Sequence, residues 1–495
     1  MKYLIVLFFT INALILRGQE TKQLTLPQVV GMAKAQSIAA RQATTTKETR
    51  YWEYRTFQSN YKPQLTLNSN LPAFTRTFSE IIQPDGTILF QPVRNNNSSV
   101  GLELSQNITQ TGGLLYATSR LQRFDDFDRK NKLYNGTLFA IGLYQPLFRF
   151  NPLKWDKKIE PLKYKGSQQE YLESLENIAL NANQYFFDLL LAQVNLQIAN
   201  TNLSNTENIL RIAYEKFELG KNSRNEILQL KLENLKARKA VATAKRDMEV
   251  ASLNLKSFIS LQGNEKVEMI APFAPKNGEN AKNTEGGTSM KFLSVSSEKA
   301  IKEAFENRSD AIAFSRRLLE AERVVAKAKG NNGVNATLTG NLGFSNRGQK
   351  IGDVFRTPQN YQFLQIEFTM PVLDWGRSQS RTKTAEANRQ LTQYTIEQDK
   401  QNFQQAIYTQ VTLFDMLKNQ MDLTMQADSI ASEKYQIAQD RYVLGNLSIT
   451  DLSIAFSEKD QAKRDFIETL RQYWAAFYRL RWLTLYDFEK GEKIK

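Results

Sequence analysis

The chain has 495 residues, 41% of them hydrophobic, and carries 65 Lys and Arg against 51 Asp and Glu, a net charge of +14. Its mean hydropathy of −0.47 argues against a helical membrane protein, and the absence of any Cys or His removes thiol nucleophiles, histidine bases, zinc and haem sites and disulfides together. The basic excess is scattered, at Lys154, Lys157 and Lys158, at Lys231, Lys236, Arg238 and Lys239, and at Arg377, Arg381 and Lys383, not gathered into the stripe that nucleic acid requires, so nucleic acid is excluded as a partner.

Residues 1–18 read as a secretory signal. Lys2 supplies the positive start, residues 3–16 an apolar run too short to span a bilayer, and Gly18 a small residue for cleavage, although Arg17 lets the cut fall a residue or two later. No later segment reaches the ~20 apolar residues of a transmembrane helix. An exported chain that meets a membrane again must then do so as a β-barrel. A helix over 26–61 follows, opened by a Thr25…Gln28 capping box with Pro27 in the first turn.

Residues 62–148 hold about four strand-like runs. Val100, Leu102 and Leu104 alternate with Gly101, Glu103 and Ser105, and Phe139, Ile141 and Leu143 with small or polar residues. One pair of runs, around 100–121, is turned by Thr111-Gly112-Gly113. A long helical arm over 162–219 leads to Gly220 and a second arm over 223–262. The segment 262–293, with a low-complexity stretch at 276–280, reads as a surface crossing or a small belt around the helices. A helix over 297–329 precedes two more alternating runs, Leu338, Leu342 and Phe344, then Leu364, Ile366, Phe368 and Met370. Period two with one polar face suits an ordinary antiparallel sheet or a barrel with lipid outside and water inside. The arms 377–444 and 448–490 flank Gly445, and 489–495 is a charged tail expected to be mobile.

This order is one architecture written twice. A shift of 225 residues lays Ile212-Ala213 on Ile437-Ala438, Phe217-Glu218-Leu219-Gly220 on Tyr442-Val443-Leu444-Gly445, and Ser223, Glu226 and Glu233 on Ser448, Asp451 and Glu458, without gaps. A seam of 3-4 spacing runs Ile227, Leu230, Asn234, Ala237, Val241, Ala244, Met248, Ala251, Leu255, Phe258, and again from Leu452 through Ala455, Lys459, Ala462 and Phe466 to Leu483. Sustained 3.5-residue spacing makes coiled-coil hairpins. At 1.5 Å per residue the arms before the tips reach about 87 and 102 Å and those after them only about 60 Å. A leading helix of about 50 Å in each half makes up the difference if it stacks end to end on the short arm. The domains expected are therefore 1–18 signal, 19–261 first repeat, 262–293 linker, 294–488 second repeat and 489–495 tail.

The order of parts resembles the TolC-like outer-membrane efflux family over essentially the whole mature chain. The residues that carry the resemblance are the junctions Tyr144-Gln145-Pro146-Leu147-Phe148 and Met370-Pro371-Val372-Leu373-Asp374-Trp375-Gly376, and the tips Phe217-x-x-Gly220-x-x-Ser223 and Tyr442-x-x-Gly445-x-x-Ser448. The resemblance implies a mixed α and β membrane fold: a homotrimer with a transmembrane β-barrel and a periplasmic α-helical tunnel, twelve strands over twelve helices. A twelve-stranded ring favours the extra pair at 100–121 lying outside it, but the sequence leaves open whether the pair joins the barrel. A Pro can end a barrel strand where the ladder stops. Phe148 and Trp375 then either sit at the membrane interface or pack under the barrel.

The same resemblance implies a passive exit duct in the outer membrane, with no cofactor, no metal and no catalytic residue. Its partners would be outer-membrane lipid, a periplasmic adaptor (membrane fusion protein) and an inner-membrane transporter of RND or ABC type, for efflux or type I secretion. Adaptor docking falls on Gly220, Ser223, Gly445, Leu447 and Ser448. Constriction of the pore falls on Asp451, with Glu226 as its first-half counterpart; Ile454 departs from the family pattern, which often has a second acid there, and would set an apolar ring beside the charged one. Asp451 is otherwise only a favourable charge in a helix's first turn. The competing reading is a secreted coiled-coil adhesin or envelope spacer without a pore.

Overall fold

The computed structural model describes residues 21–220, 223–261, 265–272, 294–444 and 446–495. The expected signal peptide, the stretch 276–280 and Gly445 lie outside the described residues. The first half contains β1 (Thr21–Thr25), α1 (Leu26–Gln36), α2 (Ile38–Ser59), β2 (Gln64–Asn70), β3 (Phe74–Ile82), β4 (Ile88–Ile108), β5 (Gly113–Asp126), β6 (Asn131–Leu147), α3 (Pro152–Glu218) and α4 (Arg224–Phe258). After β7 (Lys266–Ile270) come α5 (Ser297–Asn307), α6 (Ser309–Asn332), β8 (Asn335–Gly348), β9 (Gln359–Thr369), α7 (Arg377–Val443), α8 (Ile449–Thr484), β10 (Tyr486–Asp487) and β11 (Glu492–Lys493). These form two compact units, one of Glu48–Gly166 with Ile312–Asp399, the other of the residues up to Lys47 with Ser167–Ala311 and Lys400–Lys495.

The first unit holds an antiparallel sheet in the order β2-β4-β5-β6-β8-β9, with β3 also on β4. β2 pairs residues 99–105 of the long β4 and β3 pairs residues 88–96, so the two share one column of the sheet. The extra pair at 100–121 is β4–β5, turned at Gly112, whose φ of +77° is the left-handed conformation that glycine adopts freely. Within the chain the hairpin is not set apart from the other strands. Fourteen residue pairs join β4 to β5, and β5 in turn pairs β6, so the hairpin lies in the middle of the sheet.

The second unit is helical, and its seams are its core. Ile227, Leu230, Asn234, Ala244 and Leu255 of α4 and Leu452, Ala455, Thr469, Tyr473, Ala476, Leu480 and Leu483 of α8 are buried, and no other member of either seam is exposed. Leu26 and Val29 of α1 join Leu255 and Ile259 at the end of α4 in one apolar cluster. In the second half the side chain of Asn307 donates to the Thr484 carbonyl at 3.4 Å. The ends that the length argument brings together do meet.

Three boundaries differ from the pattern read in the sequence. The helices expected over 26–61 and 297–329 each break after eleven residues, at Ser37 and Arg308, single residues in extended conformation. Ser37 Oγ accepts from the Ala40 amide at 3.1 Å, capping the helix that restarts. Arg308 is held by Asp310 at 2.6 Å and Glu173 at 3.4 Å. Neither position carries Gly or Pro, so periodicity ran straight across it. The long first arm starts ten residues early, at Pro152, and passes through Pro161. The tail is tied down: β11 pairs β10, and Lys493 reaches Glu306 at 2.8 Å.

One buried ion cluster pins α1, α3 and α8 together. Glu176 is fully buried and pairs with Lys34 and, at 3.0 Å, with Arg481, which also pairs with Asp487. Burial pushes the Glu176 carboxyl up, but hydrogen bonds and charge from Arg481 and Lys34 more than reverse this and hold it below the usual 4.5. Beside it, burial pushes the Tyr478 phenol up to about 12. Glu176→Ala leaves two half-buried cations, Lys34 and Arg481, short of a partner and should cost about 2–3 kcal/mol in thermal or urea unfolding followed by helical circular dichroism. Because the folded carboxyl titrates below its unfolded value, the stabilisation is fully present above the unfolded pKa. It drains away as pH falls through the folded one. Wild type should therefore lose more stability than Glu176→Ala between pH 5 and strongly acidic conditions, and equal losses would remove Glu176 from that role.

Candidate functional site

In each helical hairpin the helix after the tip starts at a serine cap built to the same plan. Gly220 has φ +69° and nothing within 4 Å of the place a Cβ would occupy, so the turn needs glycine for its backbone and not for space. Ser223 is the N-cap of α4. Its Oγ accepts from the Glu226 amide at 3.3 Å, and its own amide donates to Glu226 Oε2 at 2.8 Å. Ser448 caps α8 the same way, accepting from the Asp451 amide at 3.1 Å, while its hydroxyl donates to Asp451 Oδ2 at 2.7 Å. Both acids thus serve their own caps, the reading first assigned to Asp451 alone. Asp451 is exposed and Glu226 half-buried.

Ile454 is exposed, three residues beyond Asp451 and so on the same helix face, while Leu452 and Ala455 between and beyond them turn into the core. Leu447 is half-buried against Tyr435, Tyr442, Leu452 and Ala455. It is part of the turn's packing more than of its surface. What stands out from the tips is Leu219 and Leu444, repeat-equivalent and more than 70% exposed. The sequence signal for them was present in the doubled Leu-Gly.

Sequence reading missed the polar contacts beneath the tips. Asn202 of α3 donates to the buried Asp460 of α8 at 2.7 Å, and Asn205 donates to the hydroxyl of Tyr435 of α7 at 2.9 Å. Lys459 lies over the Tyr435 ring, 4.4 Å from its centre, and 3.5 Å from Asp460. These residues join the first-half hairpin to the second. Lys459, a charge on an apolar seam, was the visible cue.

The junction residues lie in the sheet unit. Pro146 pairs Thr337 at the penultimate step of the β6–β8 ladder, where its missing N–H costs least. Pro371 follows the end of β9 by two residues. Phe148 and Trp375 both adopt positive φ and are 78% and 90% exposed, so neither ring is packed within the chain. Asp374 accepts from the amides of Gly376 at 3.0 Å and Ser378 at 2.9 Å and starts α7. Among the described residues there is no cluster of acids that could hold a metal ion, and no helix is long and apolar enough to cross a membrane.

The sequence pattern of the family described as "Outer membrane efflux protein" matches residues 58–260 and 300–484. Among solved structures, the CmeC outer membrane channel of Campylobacter jejuni has a TM-score of 0.63 at 16% identity, covering 95% of this chain and 86% of that one. VceC of Vibrio cholerae gives 0.61 at 13%, covering 95% and 97%. The open-state MtrE channel of Neisseria gonorrhoeae gives 0.62 at 16%, covering 95% and 89%. At such identities these likenesses are of fold. No curated protein matches the chain.

The contacts beneath the tips are open to test. Asp460→Ala removes the acceptor of Asn202 and the partner of Lys459, and amide hydrogen exchange around 200–206 and 435–460 should speed by tenfold or more, about 1.4 kcal/mol of local opening. Ser448→Ala should loosen only the first turn of α8, by about 1 kcal/mol. Unchanged exchange in Asp460→Ala would mean that apolar packing alone holds the hairpins.

Proposed function

Because the chain belongs to the outer membrane efflux protein family, whose members are non-enzymatic outer-membrane channels of tripartite efflux systems, we propose that it works as a homotrimer with a pore constricted near Asp451 and Ile454 and an adaptor docked on its tips. The observation that carries this reading is an apolar surface that one chain leaves bare. Met416, Leu423, Ile430 and Ile437 of α7, and Leu444 just past its end, recur every seven residues and are each more than half exposed. Leu228, Leu232 and Leu235 of α4 form a second exposed stripe, away from the buried seam. Heptad spacing is the pattern of a helix that packs on another helix. Water-facing apolar stripes of this length call for a partner, and copies of the same chain related by closed symmetry supply one while halting growth at a fixed number of copies.

The tips are helix ends with unpaired backbone groups and the exposed Leu219 and Leu444 beside them. That is chemistry suited to a periplasmic adaptor. A ring of three Asp451 carboxylates would draw cations and resist closer approach, with Ile454 adding an apolar constriction next to it. The exposed Phe148 and Trp375 suit the interface level of an outer membrane. An inner-membrane transporter of RND or ABC type would drive export through the duct.

Mass measurement in detergent should give three chains, each 56.8 kDa less any segment removed on export. Ile430→Asp should yield monomers with intact helical circular dichroism; a trimer that tolerates it would move the interface elsewhere. In planar bilayers Asp451→Asn should lower cation preference and Ile454→Ala should raise resting conductance several-fold, neither altering the trimer. If both variants conduct and select like the parent, the constriction is not at these residues. Leu219→Asp with Leu444→Asp should abolish export while conductance persists, and normal export would place the adaptor elsewhere.

A further inference from the structure

We infer that the β4–β5 hairpin is part of the membrane-crossing ring, so that three copies close a barrel of eighteen strands and not twelve. The inference rests on the trimeric channel proposed above. Its evidence is the register of the sheet. Residues directly opposite each other in neighbouring strands share a face, so one face can be followed across the whole sheet. It passes from Leu65 and Leu67 of β2 to Leu104 and Leu102 of β4. From Leu104 it reaches Ala117 of β5, and with Leu115 and Ala117 it reaches Leu143 and Ile141 of β6. Phe139 and Ile141 meet Phe344 and Leu342 of β8, and Leu338 and Ala336 meet Ile366 and Phe368 of β9. On this face Leu65, Leu67, Leu102, Leu104, Leu115, Phe139, Ile141, Leu342, Phe344, Leu364, Ile366 and Phe368 are all exposed.

The opposite face is mostly small or polar along the same path, with Leu114, Tyr144, Tyr361 and Phe363 as its larger members. Thr66 meets Glu103, and Glu103 meets Thr118. Tyr116 and Asn341 flank Gly142, with Tyr116 Oη donating to Asn341 Oδ1 at 2.7 Å. Thr339 and Thr337 meet Gln365 and Glu367. An outward apolar band with a polar interior is the signature of a membrane barrel. A hairpin lying outside the ring would have no reason to continue it in register. Here the hairpin supplies two of the six columns, and the band continues across it through Val100 and Leu121, Leu104 and Ala117, with Gln106 and Ser119 its polar members.

Length and direction agree. A tilted strand needs about 9–11 residues to span the hydrocarbon. β4, β5, β6, β8 and β9 have 21, 14, 17, 14 and 11 residues, and β2 is short but its column continues as β3. The edges are β9 on one side and β2 with β3 on the other, and every residue of all three is exposed. With six antiparallel columns, β9 runs opposite to β2, so β9 of one copy meets β2 and β3 of the next in antiparallel sense. Six columns in each of three copies give eighteen strands. Circumference grows with strand number, so the ring is about half again as wide as one of twelve, in the range that leaves an aqueous channel.

The chain has no cysteine, so a single introduced one carries a unique spin label. Leu104→Cys and Leu115→Cys probe the apolar face of the hairpin, Glu103→Cys and Thr118→Cys its other face, and Ile366→Cys and Glu367→Cys report on β9 as the reference. In lipid-reconstituted protein, labels at 104, 115 and 366 should favour collision with oxygen over a water-soluble nickel complex, and those at 103, 118 and 367 the reverse. Water contact at 104 and 115 with lipid contact at 366 would place the hairpin outside the ring and overturn the inference while the channel stands. Lipid contact at the hairpin but not at 366 would also overturn it. Water contact at all three would overturn the membrane-channel reading itself.

Discussion

A bilayer offers no hydrogen-bond partner to a peptide group, and every strand that enters it must be paired on both sides. In this chain the constraint meets a sheet whose two edges lie open and whose one face is a band of exposed leucine, isoleucine and phenylalanine. Neither feature is stable in water, and each would be resolved by the same event, the pairing of β9 of one copy with β2 and β3 of the next around an axis with lipid outside. Even strand number, antiparallel connections and the alternation of side chains all answer to that one demand.

The helical unit obeys a parallel rule with water in place of lipid. Its helices carry apolar residues on two faces. One, the seam of α4 and α8, is consumed inside the chain; the other, the stripe on α7 and the leucines of α4, is left for a neighbour. Alanine on the buried seams brings the backbones close, whereas the bare stripes are of larger residues. The difference fits a tight hairpin within the chain and a knobs-into-holes contact between chains. A spacer without a pore would need the stripes but has no use for a sheet with open edges and one apolar face.

Much of this was legible because the gene-level repeat doubled every signal. The tips were readable from Gly220 and Ser223 with their counterparts, the junctions from Pro146 and Pro371, and the seams from spacing alone. The breaks at Ser37 and Arg308 were not, because a capping serine and a salt-bridged arginine leave no trace in hydrophobic periodicity. The place of the β4–β5 hairpin was left open for a different reason. Alternation reveals that a strand has two faces but not which neighbour it pairs, and that information lies in the register. The Asn202–Asp460 contact was invisible because it joins residues from different halves, 258 positions apart. The capping role of Glu226 was legible in Ser-x-x-Glu and was passed over in favour of its charge.

The buried cluster around Glu176 is assembled from the two ends of the described chain. Lys34 and Leu26 come from its first helix, whereas Arg481, Leu480 and Asp487 come from its last helix and hairpin. A polypeptide threaded across a membrane from its amino end delivers the first set long before the last. Leu26 and Lys34 can dock on Leu255 and Glu176 before the last helix arrives, but the Glu176–Arg481 pair cannot close until it does, and contacts of such long sequence separation form late. The order of delivery therefore leaves Glu176 without its arginine until the last helix is delivered. A truncation there would forfeit the centre of the helical unit and not merely its margin.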